Sequence, residues 1–283
     1  MPEHTLAIQT MNPSEVELVV DWAAAEGWNP GLHDAAIYPL ADPNGFLIGY
    51  LGETPVATIS VVQYGEGFGF LGFYIVAPAY RGRGYGLQIW KAGIGYLAGR
   101  NVGLDGVVEQ QANYQKFGFK LAYRNIRYEG QGGGTRPKDA RLVALAKVPF
   151  EDIQAYARPF FPEDRSSFLK AWITQPHSHG YAVMADGQLQ GYGVMRACRT
   201  GYKIGPLYAD SANIAEALYR ALTSRIRASE PVYLDVPEKN PAAVQLAEKY
   251  GMHPVFETAR MYTGSEPTIP MDRLFGVTSF EIG

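Results

Sequence analysis

Three glycines spaced two apart, Gly82, Gly84 and Gly86, alternate with Arg81, Arg83 and Tyr85 between an apolar stretch ending at Val76 and a run that takes up helical spacing near Leu87. The stretch Phe73-Tyr74-Ile75-Val76 favours a strand and ends before Pro78. Glycines at these positions let the backbone turn tightly and aim consecutive N–H groups at one point, and the helix start adds the positive end of its dipole. A nest of that kind takes a phosphate or pyrophosphate. A triphosphate loop would need Gly-Lys-Ser/Thr where the chain has Gly86-Leu87-Gln88, and a dinucleotide fingerprint needs a G-x-G-x-x-G spacing that these glycines miss.

The elements around this loop occur twice along the chain. In the first half, residues 6–8 read as a strand, and Asn12-Pro13-Ser14-Glu15 as a helix start with Asn12 or Ser14 as cap, followed by Val16, Val19, Val20 and Ala23 on one face. Strands are predicted over 45–51, 56–64 and 68–76, separated by Gly52-Glu53-Thr54-Pro55 and Gly65-Glu66-Gly67, so an antiparallel meander feeds the glycine loop. A helix over 87–99, a strand over 102–108, a helix over 111–117 and a strand over 120–128 follow. The second half repeats the order: a helix over 162–173, strands over 181–185, 189–197 and 202–208, a helix over 212–227, a strand over 232–236, a helix over 241–250 and a strand over 255–262. Lys116-Phe117-Gly118-Phe119 aligns with Lys249-Tyr250-Gly251-Met252, and Arg127 and Arg260 keep the same offset. This is a tandem duplication of one α/β unit: residues 1–130, a Gly-rich linker over 131–138, and residues 139–283.

Composition sets the bounds. A chain of 283 residues, 47% hydrophobic and 19% charged, has material for two cores. The net charge of −3 without a basic block argues against nucleic acid as partner and favours a small substrate. One cysteine, Cys198, excludes an internal disulfide framework, and no His/Cys cluster stands ready for a metal. His177 and His179 lack a third ligand nearby and read as a polar turn. The start Met1-Pro2-Glu3-His4 lacks a signal pattern and no apolar run is long enough for a membrane span, so the expectation is a cytoplasmic protein without a membrane partner.

Arg81-Gly82-Arg83-Gly84-Tyr85-Gly86 resembles the R-x-x-G-x-G loop of the GNAT superfamily of N-acetyltransferases, and Tyr114-Gln115-Lys116-Phe117-Gly118-Phe119, about thirty residues on, resembles that family's Y-E-K-x-G-F segment. The resemblance implies a mixed α/β fold of two tandem units, each a mostly antiparallel twisted sheet flanked by helices. It implies acetyl-coenzyme A as co-substrate. The loop residues Arg81, Gly82, Arg83, Gly84, Tyr85 and Gly86 would hold its pyrophosphate, and the backbone of Tyr74, Ile75 and Val76 would bind its pantetheine and polarise the thioester carbonyl. Tyr114 would protonate the departing thiolate after an amine attacks directly in a ternary complex.

The first half departs from the family pattern in three places. The first half's fourth helix is about one turn shorter than its counterpart. No asparagine precedes Tyr114 at the family's distance; Glu109, Gln110 and Asn113 are the residues at hand, and Asn113 is placed with the cofactor. The strand over 68–76 carries no carboxylate to serve as base, which leaves Glu66, Asp105, Glu109, His33 and Asp34 unranked. In the second half, Tyr208-Ala209-Asp210-Ser211 replaces the glycine nest, and Ala247 stands where a tyrosine is expected, so that unit is degenerate. The segment from Glu26 to Asp34 is the candidate acceptor loop, with Trp28, Asn29 and His33 as substrate-binding residues; a Trp28 that anchors the loop to the core is the competing reading.

The sequence therefore predicts an acetyl-coenzyme A-dependent N-acetyltransferase acting on a primary amine of a small molecule or peptide, monomeric or homodimeric. The alternatives are a non-catalytic acyl-coenzyme A sensor or scaffold, and a nucleotide-binding module using the same loop.

Overall fold

A computed structural model describes residues 5–283; the reading of Met1 to His4 lies outside them. The first half runs β1 (Ala7–Thr10), α1 (Pro13–Ala25), α2 (Asp34–Ile37), β2 (Phe46–Leu51), β3 (Thr54–Tyr64), β4 (Phe68–Val76), α3 (Tyr85–Tyr96), β5 (Asn101–Val107), α4 (Gln111–Lys116) and β6 (Lys120–Gln131). The second runs β7 (Leu142–Ala144), α5 (Phe150–Ala157), α6 (Ser166–Ile173), β8 (Ser178–Ala185), β9 (Gln188–Ala197), β10 (Tyr202–Ala209), α7 (Ala212–Thr223), β11 (Pro231–Pro237), α8 (Pro241–Lys249), β12 (His253–Tyr262) and β13 (Leu274–Gly276). The strands β7 and β13 and the helices α2 and α5 have no counterpart among the elements predicted from sequence.

Local chemistry explains the element starts. Asn12 caps α1 by accepting from the Glu15 N–H, while the Glu15 carboxylate accepts from the Asn12 N–H, a reciprocal box in front of the buried face Val16, Val19, Val20 and Ala23. Asn240 caps α8 in the same way, accepting from the N–H groups of Ala242 and Ala243.

All strands join one sheet in the order β1-β2-β3-β4-β5-β12-β6-β11-β10-β9-β8-β7, with β13 beside β10. Only β4–β5 and β10–β11 are parallel. The centre of the sheet holds a reciprocal exchange. The second half's β12 lies between β5 and β6, and the first half's β6 lies between β12 and β11. Each half thus completes its sheet with a strand of the other, β12 in one direction and β6 in the other.

Within each half the parallel pair begins together and then diverges. Pairing of β4 with β5 ends at Leu71 and Leu104, and pairing of β10 with β11 ends at Ile204 and Leu234. In the first half the divergence coincides with an extra residue in β4 between Gly72 and Ile75. Phe73 there has φ 46°, and Thr58 Oγ1 donates to its carbonyl at 2.9 Å. A bulge of this kind bends the strand and ends pairing on one side. The second wedge is filled: β13 pairs with β10 through Gly276 and Leu274, and Val277 donates to the Asp235 carbonyl on β11. Gly276 fits because a Cβ there would lie 2.7 Å from a Leu234 methyl, and Asn240 holds the plug by donating to the Leu274 carbonyl at 2.9 Å.

Candidate active site

The open wedge between β4 and β5 is a cleft of about 650 Å³. Its walls are residues 72–76 of β4 and 105–107 of β5, and the glycine loop closes one end. Beyond Leu71 the β4 edge has no strand partner on its β5 side among the described residues, so, the Val76 carbonyl held by Arg81 aside, that edge is open to an extended ligand.

The loop has the conformation its glycines foretell. Gly82 and Gly84 have φ 75° and 82°, a region that costs an L-residue, and Gly84 precedes the first turn of α3 without a side-chain cap. Among the described residues, no acceptor takes the N–H groups of Gly82, Arg83, Gly84, Tyr85 or Gly86. Gly86 admits the Tyr74 hydroxyl, which an added Cβ would meet at 2.5 Å. Arg81 donates to the Val76 carbonyl at 2.9 Å and pairs with Glu26, which reaches across from the end of α1. Arg83 lies over the Tyr80 ring, 5.8 Å from its centroid, and Tyr85 is buried; neither borders the cleft, so each offers its backbone only. The residues present fit a diphosphate-bearing thioester carrier: unengaged amides at a helix start, beside a free strand edge.

Tyr114 borders the cleft although α4 has only six residues. Its ring stacks on Trp90 at 5.8 Å and rests on Gly106, where a Cβ would lie 2.2 Å away. Trp90 also meets Tyr74 edge-on at 5.2 Å, so one indole orients both phenols. Burial, with Tyr74 adding to it, pushes the Tyr114 hydroxyl well above its ordinary value, and burial also raises that of Tyr74. Both stay protonated at neutral pH and able to donate.

The remaining sequence-nominated residues divide. Trp28 borders the cleft; its carbonyl accepts from Arg127 at 2.7 Å. Asn29 faces the second half instead, exchanging side-chain hydrogen bonds with the Thr200 backbone and accepting from Lys203 at its carbonyl. His33 stacks on His177 at 5.5 Å, away from the cleft. Asn113 is exposed and tied to Gln110 and Lys116, outside the cleft lining. Of the five carboxylate and imidazole base candidates, Asp105 and Glu109 border the cleft, and Asp105 is committed to Arg260 and Asn125. Asp34 is buried against Arg196, and Glu66 sits in the distant β3–β4 turn. Among the described residues no group of three or more His, Cys, Asp or Glu could hold a metal.

Sequence reading missed the far wall. Phe256 and Thr258 of β12, and Phe280 and Glu281 of the segment after β13, all line the cleft. The exchange of strands brings in the first two. The second two come from the chain that leaves the plug and crosses to the first half, a stretch with no periodicity to signal its place.

Two α/β units sharing a sheet, with the wedge between the parallel strands open in one and filled in the other, define a tandem acyltransferase fold. The chain belongs to the acetyltransferase (GNAT) family. The sequence pattern of that family matches residues 15–119, and that of an acetyltransferase (GNAT) domain matches residues 153–276. A holothin acyltransferase of Pseudoalteromonas sp. is 30% identical over 100% of this chain and 97% of its own length. A putative acetyltransferase from Pyrococcus horikoshii superposes with a TM-score of 0.82 at 23% identity, covering 100% of this chain and 99% of that one. A tandem GNAT protein from the clavulanic acid biosynthesis pathway superposes with a TM-score of 0.63 at 13% identity, over 93% and 100% of the two chains. Among the described residues no helix is long and apolar enough to cross a membrane.

Proposed function

We propose that the first half binds acetyl-coenzyme A and transfers its acetyl group to a primary amine of a small molecule or peptide, by direct attack in a ternary complex. The observation that carries this reading is the coincidence, in one cleft, of unengaged amides from Gly82 to Gly86, a free β4 edge and the protonated Tyr114 hydroxyl. The carrier supplies an activated acyl group as a thioester. The loop holds the diphosphate, the backbone from Tyr74 to Val76 aligns the pantetheine, and Tyr114 gives its proton to the departing sulfur. The shortened α4 does not remove Tyr114 from the cleft, which weighs against a sensor without turnover. The walls Trp28, Phe73, Phe256 and Phe280 favour an acceptor with a flat apolar body over a polyanion or nucleic acid.

The test is release of free thiol from acetyl-coenzyme A with a panel of amines, holothin first because the relative is named for it. Thiol release with at least one amine, slowed in Tyr114→Phe while coenzyme A still raises the melting temperature, supports the reading. Protection from melting by ATP or NAD but not by coenzyme A overturns it.

A further inference from the structure

Glu281 is 4% exposed yet borders the cleft, and no Lys or Arg pairs with it among the described residues. Its position is fixed from both sides. A Cβ on Gly72 would lie 2.0 Å from the Glu281 carbonyl, so glycine is what lets the segment lie against the β4 bulge. Ser60 Oγ donates to that same carbonyl at 3.3 Å, and Tyr64 Oη donates to the next one, of Ile282, at 2.8 Å. On the side chain, Oε2 accepts from Ser279 Oγ at 2.5 Å and from Tyr38 Oη at 3.2 Å. Oε1 has no hydrogen bond among the described residues and is not sealed from solvent.

No cation touches Glu281. Arg127 is bound by Asp235 and Arg196 by Asp34, while Lys203 donates to the Asn29 carbonyl without a carboxylate in contact, and the Glu281 charge acts on Arg127 and Lys203 only at longer range. Tyr38, held as a neutral phenol by burial and by the carboxylates of Asp34 and Glu281, also donates to Asp34. The other carboxylates of the cleft differ: Asp105 is saturated by Arg260, Glu26 is paired with Arg81 at the glycine loop, and Glu109 is exposed. A desolvated carboxylate with no cation in contact is costly, and a cation arriving in the cleft beside Oε1 lowers that cost. Trp28, Phe256 and Phe280 border the same space; Arg127 lies over the Phe256 and Phe280 rings at 5.7 and 4.9 Å, which leaves their opposite faces and Trp28 for an incoming cation.

We propose that Glu281 receives the acceptor as an ammonium ion and is the base that takes its proton. This rests on the acyl-transfer reading above. One ammonium proton passes to Glu281 Oε1, leaving the nitrogen lone pair free. That pair forms the C–N bond at the thioester carbonyl as the C=O π pair moves to oxygen. Its return breaks the C–S bond, the sulfur takes the Tyr114 proton, and the nitrogen's surplus proton restores Tyr114. The third proton stays on the amide, and Glu281 gives its proton to solvent.

The experiment uses the full chain, acetyl-coenzyme A, and two probes: benzylamine, an ammonium ion at neutral pH, and aniline, already a free base. Glu281→Gln keeps the shape and the acceptor for Tyr38 and Ser279, and Glu281→Asp keeps the charge. Expected is a loss of about 100-fold in kcat/KM for benzylamine at neutral pH in Glu281→Gln, narrowing as pH rises, with partial rescue in Glu281→Asp and a loss under about tenfold for aniline. Coenzyme A should protect all three proteins from melting equally. A Glu281→Gln enzyme within about threefold of wild type on benzylamine, or one equally slow on both amines, overturns the proposal. If wild type turns over neither amine, the acyl-transfer reading fails at that readout. Glu281 is then judged by benzylammonium binding below neutral pH: about tenfold weaker in Glu281→Gln supports it, and unchanged affinity overturns it.

Discussion

Arg260 grips Asp105 with both arms, Nε to Oδ1 at 2.9 Å and a terminal nitrogen to Oδ2 at 2.5 Å, across the seam where the second half's β12 enters the first half's sheet. Arg127 and Asp235 repeat the contact at 2.6 and 2.8 Å across the β6–β11 seam. Each half therefore lends the other an arginine at the place where it lends a strand.

Removing one member of such a pair leaves an uncompensated buried charge. Asp235→Ala should lower unfolding free energy by about 3–5 kcal/mol, read from urea denaturation, whereas breaking a surface pair such as Arg141 with Asp139 should leave the urea midpoint nearly unchanged. Equal effects at the two sites would contradict the role assigned to the seam.

Acid stability follows from two of the buried pairs, Asp235 with Arg127 and Asp34 with Arg196; Asp105, raised by its burial, does not contribute to it. Burial opposes ionisation of Asp34 and Asp235, but Arg196 and Arg127 more than offset it and hold both carboxyls below their ordinary value of 3.8. A carboxyl whose value is lower in the folded chain stabilises the fold above the unfolded value and loses that contribution as pH falls through the folded one. The urea midpoint should stay flat from neutral pH to about pH 5 and fall below about pH 4. A fall beginning near pH 6 would show that these pairs do not govern it.

Gly106 and Tyr114 act as one unit. A methyl at Gly106 would meet the Tyr114 ring at 2.2 Å and push it from the cleft. Gly106→Ala and Tyr114→Phe should each lower kcat by about 100-fold with coenzyme A affinity within about threefold of wild type. The double variant should be no slower than the worse single one, because both remove the same proton donor.

The filled wedge fixes stoichiometry. With β13 between β10 and β11, and Asp210 paired to Arg273 in the glycine loop's place, calorimetric titration should give one coenzyme A per chain. Gly84→Val, forced to φ 82°, should weaken that site by about tenfold or more while costing roughly 1–2 kcal/mol of stability. Two equivalents in the wild type would refute the blockage.

Local chemistry made much of this visible in advance. The glycine loop, the cap at Asn12, the meander into Val76 and the paired order of elements all depend on residues close in sequence. The strand exchange depends on pairing between β5 and β12, far apart in the chain, and periodicity carries no trace of which neighbour a strand selects. Glu281 was missed for a related reason: it lies in an irregular stretch whose burial comes wholly from distant partners such as Gly72, Ser60 and Tyr38. Asn29 and His33 were assigned to a loop in the right neighbourhood, but their side chains turn to Thr200 and His177 in the second half, which no local signal reports.

The crossed strands make assembly independent of dilution. Two separate copies trading an edge strand would have to find each other, and their catalytic fraction would rise and fall with concentration; covalent joining makes the encounter intramolecular. Cutting the chain at its glycine-rich connector would restore that dependence, and the first half alone would be left with a gap in mid-sheet where β12 belongs and a cleft missing its far side.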